Sequence, residues 1–127
     1  MTPTPVDRRW GGMAAVLGTL SVAAGAFGAH GLEDRLAAED LERWSLACHY
    51  LAIHSLALLA TAIVAPGRQG RCIRMAPWAF CLGMCLFTGG LWAYALTGTK
   101  FFAMVTPLGG LSLLGGWTCL AWALFRA

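Results

Sequence analysis

The chain has 127 residues, of which 58% are hydrophobic and 12% charged, and its formal net charge is +3 at pH 7. An average soluble domain carries about 25% charged residues, so a soluble globule of this size could not bury so much apolar surface. The excess of positive charge does not indicate a nucleic-acid partner, because the Lys and Arg residues flank apolar stretches instead of clustering on one face.

The charged residues are grouped so that they separate four uncharged intervals. These cover residues 10–32, 44–67, 75–99 and 101–125, and are 23, 24, 25 and 25 residues long. A membrane-spanning helix needs about 20 apolar residues. We therefore predict transmembrane helices at about 10–29, 44–65, 75–97 and 101–125. Short connections favour antiparallel neighbours, which gives a single all-α domain over 1–127 with an up-down-up-down bundle.

The first predicted helix has small residues spaced by four, Ser21, Gly25 and Ala29, which would let a neighbouring helix approach closely. An alternative interpretation of this segment is a secretory signal, because Arg8 and Arg9 precede its apolar run. The following stretch, 31–43, mixes leucines with charges. It predicts a short amphipathic segment, helical and lying along the outer membrane interface, that leads into the second span.

The basic residues near the span ends predict the orientation of the bundle. One side carries Arg8, Arg9, Arg68, Arg71, Arg74 and Arg126, and the other carries Arg35, Arg43 and Lys100. Since short cytoplasmic loops are enriched in Lys and Arg, both termini are expected in the cytoplasm.

The second predicted helix carries a candidate polar site. His54 is expected near the bilayer midplane, where a polar side chain is expensive and therefore a functional hypothesis. Tyr50 lies four residues earlier on the same helix face. Three interpretations stay open: a neutral His54 hydrogen-bonded to a neighbouring helix, proton handling or substrate contact, and a metal or haem ligand. His30, at the outer end of the first helix, is a further candidate.

The third and fourth predicted helices have weak points at mid-depth. Pro107 removes a backbone donor and should kink the fourth helix. Paired glycines and nearby hydroxyls indicate either close helix packing or a flexible, polar substrate path. The polar candidates in these helices are Thr88 and Thr106. The candidate packing or kink positions in the whole chain are Gly25, Gly28, Gly89, Gly90, Pro107, Gly109 and Gly110.

Signals for catalysis are missing from the sequence. It contains no G-x-S-x-G elbow and no H-E-x-x-H motif, and its acidic residues lie outside the predicted spans. Its five cysteines form no C-x-x-C pair. We therefore predict no enzyme activity, no resident metal and no cofactor.

Several stretches carry a family resemblance that covers nearly the whole chain. They are Gly25–Gly31 (GAFGAHG), Tyr50 and His54 with Leu56–Leu59, Leu86–Leu91 (LFTGGL), Val105–Gly110 (VTPLGG) and Gly116-Trp117. With these residues the sequence resembles the transmembrane protein 256 family, or domain of unknown function 423 (YgdD/YwdK-like). The resemblance implies a small multi-pass protein of a bacterial inner membrane, but no activity. The chain departs from the family at His49 and Leu51, where relatives often have an acid or amide.

The leading functional hypothesis is a non-enzymatic membrane protein that acts through helix packing, as a small structural or accessory subunit. The first alternative is a small transporter or proton-coupled carrier with a polar site around His54. The second is a redox protein with a histidine-ligated cofactor. The expected partners are the lipid bilayer and either further copies of the chain or a larger membrane complex. For the carrier alternative an oligomer is expected, because four helices make a narrow bundle.

Overall fold

The computed structural model describes residues 5–126. Within this range the chain forms α1 (Arg8–His30), α2 (Ala38–Val64), α3 (Arg71–Thr97) and α4 (Lys100–Phe125). Each helix is long and apolar enough to cross a membrane. The predicted all-α fold with four spans is therefore confirmed.

The segment between α1 and α2 differs from the predicted interfacial helix. Residues 31–37 form turns, and α2 begins at Ala38, six residues before the predicted start of the span. Glu39 and Asp40 lie in the first turn of α2, where negative charge is favourable beside the positive end of the helix dipole. The amphipathic stretch is thus divided between a turn and the first turns of the second span.

The leucines of this stretch pack onto the protein. Leu32 is buried together with Ala24, Trp44 and Cys48, and Leu36 and Leu41 pack against the same cluster. Their apolar surface is therefore covered by α1 and α2 rather than being free to enter the membrane interface.

The connection between α3 and α4 is tight, and it depends on one glycine. Gly98 has a φ of 67° and donates its backbone N–H to Tyr94 O, which ends α3. A left-handed residue after the last helical turn is a common helix stop, and glycine adopts it without steric penalty. Pro77 and Pro107 lie inside α3 and α4, and both helices continue past them.

Consecutive helices are antiparallel, and the extensive packing follows chain order. The backbone N–H of Asp7 donates to Ala62 O, so α1 begins where α2 ends. Similarly, Ala47 near the start of α2 accepts a bond from Thr88 in the second half of α3. The main contacts are α1 with α2, α2 with α3 and α3 with α4.

The two middle helices form the centre of the bundle. Half of the most apolar stretch of α2 is buried, against 22% for α1 and for α4. The largest fully buried side chains of the bundle are Phe80 of α3 and Leu51, Leu58 and Thr61 of α2. Helices α1 and α4 therefore present most of their apolar surface to the lipid.

Candidate functional site around His54

His54 lies in the middle of α2 and both of its ring nitrogens have partners. The side chain is buried, with 5% of its surface exposed. Nε2 lies 3.0 Å from Trp117 Nε1 on α4, and Nδ1 lies 2.7 Å from the backbone oxygen of Tyr50. An indole nitrogen can only donate, so Nε2 accepts and Nδ1 carries the single proton, which it donates to Tyr50 O.

This bonding pattern fits a neutral imidazole. A second proton, on Nε2, would face the N–H of Trp117 and break that hydrogen bond. The neutral form uses one donor and one acceptor, and the structure supplies a partner for each. His54 thus joins α2 to α4 as a polar cross-link within the apolar bundle.

Aromatic rings surround the imidazole on several sides. The Tyr50 ring stacks on His54 with centroids 5.6 Å apart and on Phe87 at 4.3 Å. Trp117 meets both His54 and Phe80 edge to face, at 6.0 and 5.4 Å. Such offset and edge-to-face pairs add stability beyond the area they bury, so the polar bond lies within a well-packed aromatic cluster.

A groove of about 750 Å³ runs between α2 and α4 beside this cluster. Tyr50, His54 and Trp117 line one part of it, and Pro107 and Gly110 line another. Tyr50 and Trp117 are partly exposed along the groove, at 36% and 43%. Apart from Tyr50, His54 and Trp117 its lining is apolar, as expected for a surface that contacts lipid acyl chains.

Thr88 and Thr106 make separate hydrogen bonds away from His54. Thr88 is buried and donates its hydroxyl to Ala47 O at 3.2 Å, which links α3 to α2. Thr106 donates to Phe102 O of its own helix at 3.0 Å. The hydroxyl of Thr106 lies against Gly90, where an added Cβ would come within 2.7 Å of it.

The other two histidines lie on exposed surface. His30 is the last residue of α1 and is exposed at the 31–37 end of the molecule. His49 is exposed on α2 and lines a shallow cleft with Glu33 and Gly25. Of the five polar candidates, the structure therefore brings together Tyr50 and His54 and places His30, Thr88 and Thr106 at three other locations.

The glycines fall into two groups when a Cβ is placed on each. Gly28 would meet the Trp44 ring at 2.5 Å, Gly90 would meet Thr106, and Gly109 would collide with the backbone of Phe87. By contrast, Gly25 and Gly89 have no such neighbour within 4 Å, and Gly110 has only an ordinary contact at 3.9 Å.

The packing face of α1 differs from the face expected from its spacing. Ser21, Ala24 and Gly28 are buried, whereas Ala29 is exposed. The face that meets α2 thus follows a spacing of three and four residues, and Gly25 lies beside it. Small residues occur on both faces of α1, so composition alone could not select between them.

Sequence reasoning did not identify Trp44 and Trp117 as polar partners. Trp44 donates its indole N–H to Ala24 O at 2.8 Å, and Trp117 donates to His54. Trp44 lies near a predicted span end, where indoles are typical interface anchors. The depth of Trp117, eight residues before the end of α4, was the available signal that it has another role.

Residues suited to metal binding do not converge in the described part of the chain. Across residues 5–126 no group of three His, Cys, Asp or Glu side chains is placed to hold an ion. The cysteines there are free thiols.

Comparison with known proteins gives a consistent set of relatives. A family model described as protein of unknown function (DUF423) matches residues 24–110. The chain is 34% identical over 114 residues to a UPF0382 membrane protein of Staphylococcus haemolyticus, covering 90% of this chain and 93% of the relative. It is 36% identical over 107 residues to the UPF0382 inner membrane protein YgdD of Escherichia coli K12, covering 84% and 82%. No solved structure matches.

Proposed function

Because the chain belongs to the DUF423 family of uncharacterised membrane proteins, we propose that it acts through helix packing, as a small structural or accessory subunit of a bacterial inner membrane. The observation that carries this proposal is the bonding of His54. Its two ring nitrogens are occupied by Trp117 and by Tyr50 O, which leaves neither free for a substrate, a proton acceptor or a metal.

The distribution of the other polar candidates supports the same proposal. A carrier with a polar path through the bundle would bring its polar groups together around one site or in one series. Thr88 bonds between α2 and α3, Thr106 bonds within α4, and His30 is exposed at one end. These positions favour separate helix contacts over one substrate path and over a catalytic constellation.

Orientation and partners are part of the proposal. We infer that both termini lie in the cytoplasm, since the basic residues are more numerous at the 65–70 end of the bundle. Exposed apolar side chains of α4, such as Met104 and Leu111, contact the lipid bilayer. The same face offers the surface on which a second copy or a larger membrane complex would assemble.

The proposal is tested by replacing His54 with Gln in a strain that lacks the chromosomal gene. A glutamine amide has both a donor and an acceptor, so His54→Gln should complement any deletion phenotype at wild-type membrane levels. His54→Leu, which keeps the volume and removes both bonds, should instead lower the amount of folded protein. If His54→Gln reproduced the deletion phenotype at normal protein level, a chemical role for the imidazole would replace the structural one.

Transport is tested separately with purified full-length protein in vesicles. Proton and small-solute fluxes, measured from about pH 5 to 8 to span the titration range of histidine, should equal those of empty vesicles. A flux that His54→Gln abolished would overturn the proposed function in favour of a proton-coupled carrier.

A further inference from the structure

A cleft of about 990 Å³ opens at the 65–70 end of the molecule, where α2 and α4 end and α3 begins. Three arginines line it: Arg68 from the α2–α3 connection, Arg71 from the start of α3, and Arg126 from the end of α4. No Asp or Glu of the described chain is among its lining residues. The cleft therefore concentrates positive charge from three separate segments.

Arg68 links the carboxyl-terminal ends of α2 and α4, which border the cleft, and offsets their partial negative charge. Its Nε donates to Val64 O at 3.0 Å, and its Nη1 lies 3.4 Å from Ala123 O. These carbonyls belong to the last turns of α2 and α4, which carry the negative ends of the helix dipoles. Because the guanidinium of Arg68 lies beside both carbonyl oxygens, these helix ends repel an incoming anion less.

Arg71 and Arg126 supply charge that a ligand can reach. Both side chains are exposed. The guanidinium of Arg126 lies 4.2 Å above the ring of Trp122, which holds it at the edge of the cleft. A planar guanidinium presents paired donors that match the oxygens of a phosphate group.

The start of α3 adds backbone donors to the same cleft. Its N-cap is Gly70, which makes no side-chain capping bond, and the early residues Cys72 and Ile73 line the cleft. The first N–H groups of a helix have no partner within the helix and favour an anion. The start of α3 and the arginines therefore both attract an anion to the cleft.

The cleft also has an apolar wall at the level of the membrane surface. Trp122 and Ile63 line it and are about half exposed, at 51% and 50%. An indole near a span end prefers the depth of the lipid headgroups. The cleft thus joins a cationic pocket to an apolar surface, a combination that suits a phosphate attached to acyl chains better than a free phosphate.

We propose that this cleft binds the phosphate of an anionic phospholipid, with Arg71, Arg126 and the start of α3 contacting the headgroup and Trp122 contacting its glycerol and upper acyl region. Basic pockets between transmembrane helices bind acidic lipid headgroups in this way. The inference is independent of the structural role proposed above, since it concerns a ligand at the membrane surface and not His54.

The test is native mass spectrometry of the full-length protein released from detergent containing equal amounts of phosphatidylglycerol and phosphatidylcholine. The wild type should retain phosphatidylglycerol preferentially. The double variant Arg71→Gln/Arg126→Gln should retain about tenfold less, because it removes both guanidinium groups that contact the headgroup within the cleft. Arg68 is left unchanged, since its bonds to α2 and α4 support the fold.

Arg8→Gln/Arg9→Gln is the matched control, because it removes the same charge from exposed side chains at the same end of the bundle. It should keep the retention of the wild type. A further arm replaces the lipid with glycerol 1-phosphate, which should not bind measurably. Thermal melts of every variant show whether folding is intact, and Trp122→Leu provides a second cleft variant, expected to retain less phosphatidylglycerol, if the double variant melts early.

Three results would overturn the proposal. Equal retention of the two lipids by the wild type would remove the headgroup preference. An equal loss in Arg8→Gln/Arg9→Gln would indicate diffuse charge attraction rather than a cleft. Binding of glycerol 1-phosphate as tight as that of phosphatidylglycerol would assign the cleft to a soluble phosphate ester.

Discussion

The α3–α4 contact and the α1–α2 contact bring two helices together in different ways. Between α3 and α4, glycines occur at successive levels: Gly83 lies against Leu113, Gly90 against Phe102 O, Gly109 against Phe87, and Gly116 against Phe80. Between α1 and α2, two hydrogen bonds near the ends of α1 supplement the packing, from Asp7 N to Ala62 O and from Trp44 Nε1 to Ala24 O.

The difference follows from the solvent. Lipid tails are as apolar as the helices, so association depends on close packing and on interhelical hydrogen bonds instead of on the hydrophobic effect. The α3–α4 pair relies mainly on close packing along its length, with one hydrogen bond from the Ser112 hydroxyl to Ala79 O at 2.8 Å. The α1–α2 pair relies more on hydrogen bonds near its two ends. Substitutions should therefore affect the two contacts in different ways.

The largest effect is expected at Gly109. An added Cβ would lie 2.8 Å from Phe87 Cα, a backbone atom that cannot move aside without shifting a helix. We expect Gly109→Ala to lower the free energy of unfolding by about 3 kcal/mol or more, at the upper end of overpacking effects, as measured by thermal or denaturant unfolding in detergent micelles. Gly115→Ala, with open space at its Cβ, should be neutral; equal effects would show that α3 and α4 do not pack as described.

A smaller loss is expected at Gly28. A Cβ there would meet Trp44 Cδ1 at 2.5 Å, but a side chain can move where a backbone cannot. We expect Gly28→Ala to destabilise by about 1–2 kcal/mol, because Trp44 would shift and lose its bond to Ala24 O. The same unfolding measurement on Gly25→Ala should show no loss, since Gly25 has no neighbour at that distance.

The polar link between α2 and α4 should be weaker still. Trp117→Phe removes the donor to His54 Nε2 and keeps most of the ring contact with Phe80. We expect a loss of about 1 kcal/mol, which lies within the range for hydrogen bonds between membrane helices. Trp122→Phe is the control, because Trp122 is half exposed, and a comparable loss there would remove the special role of the His54 bond.

The smallest effect concerns Thr88. Thr88→Val removes a hydroxyl that bonds Ala47 O across the α2–α3 contact and should destabilise by about 0.6 kcal/mol. Thr118→Val removes a hydroxyl that is exposed and bonds its own helix, so its unfolding curve should match that of the wild type. An equally large change in both variants would reduce the effect of Thr88 to helix propensity alone.

The spans were predictable because charge is excluded from the bilayer core. The bounds of the helices were harder to predict. Helix α2 already begins at Ala38, because Glu39 and Asp40 are as favourable in the first turn of a helix as at a membrane interface. The charges therefore predicted the apolar span but not the residue at which the helix begins.

The candidate site was predictable only where it depended on local spacing. Tyr50 and His54 are four residues apart, and their rings stack. The bond from Trp117 joins residues 63 positions apart, and no periodicity in one helix reveals the rotation of another. For the same reason Thr88 and Thr106 could be named as polar but not assigned to different partners.

The two hydrogen bonds of α1 have a mechanical consequence. Asp7 is bonded to the last turn of α2, and Trp44, near the beginning of α2, is bonded to Ala24 in the last third of α1. A slide of α1 along α2 by one residue, about 1.5 Å, would strain both bonds at once, and a rotation would remove Gly28 from Trp44. We therefore expect α1 and α2 to move as one rigid hairpin, so that any conformational change takes place where this hairpin meets α3 and α4.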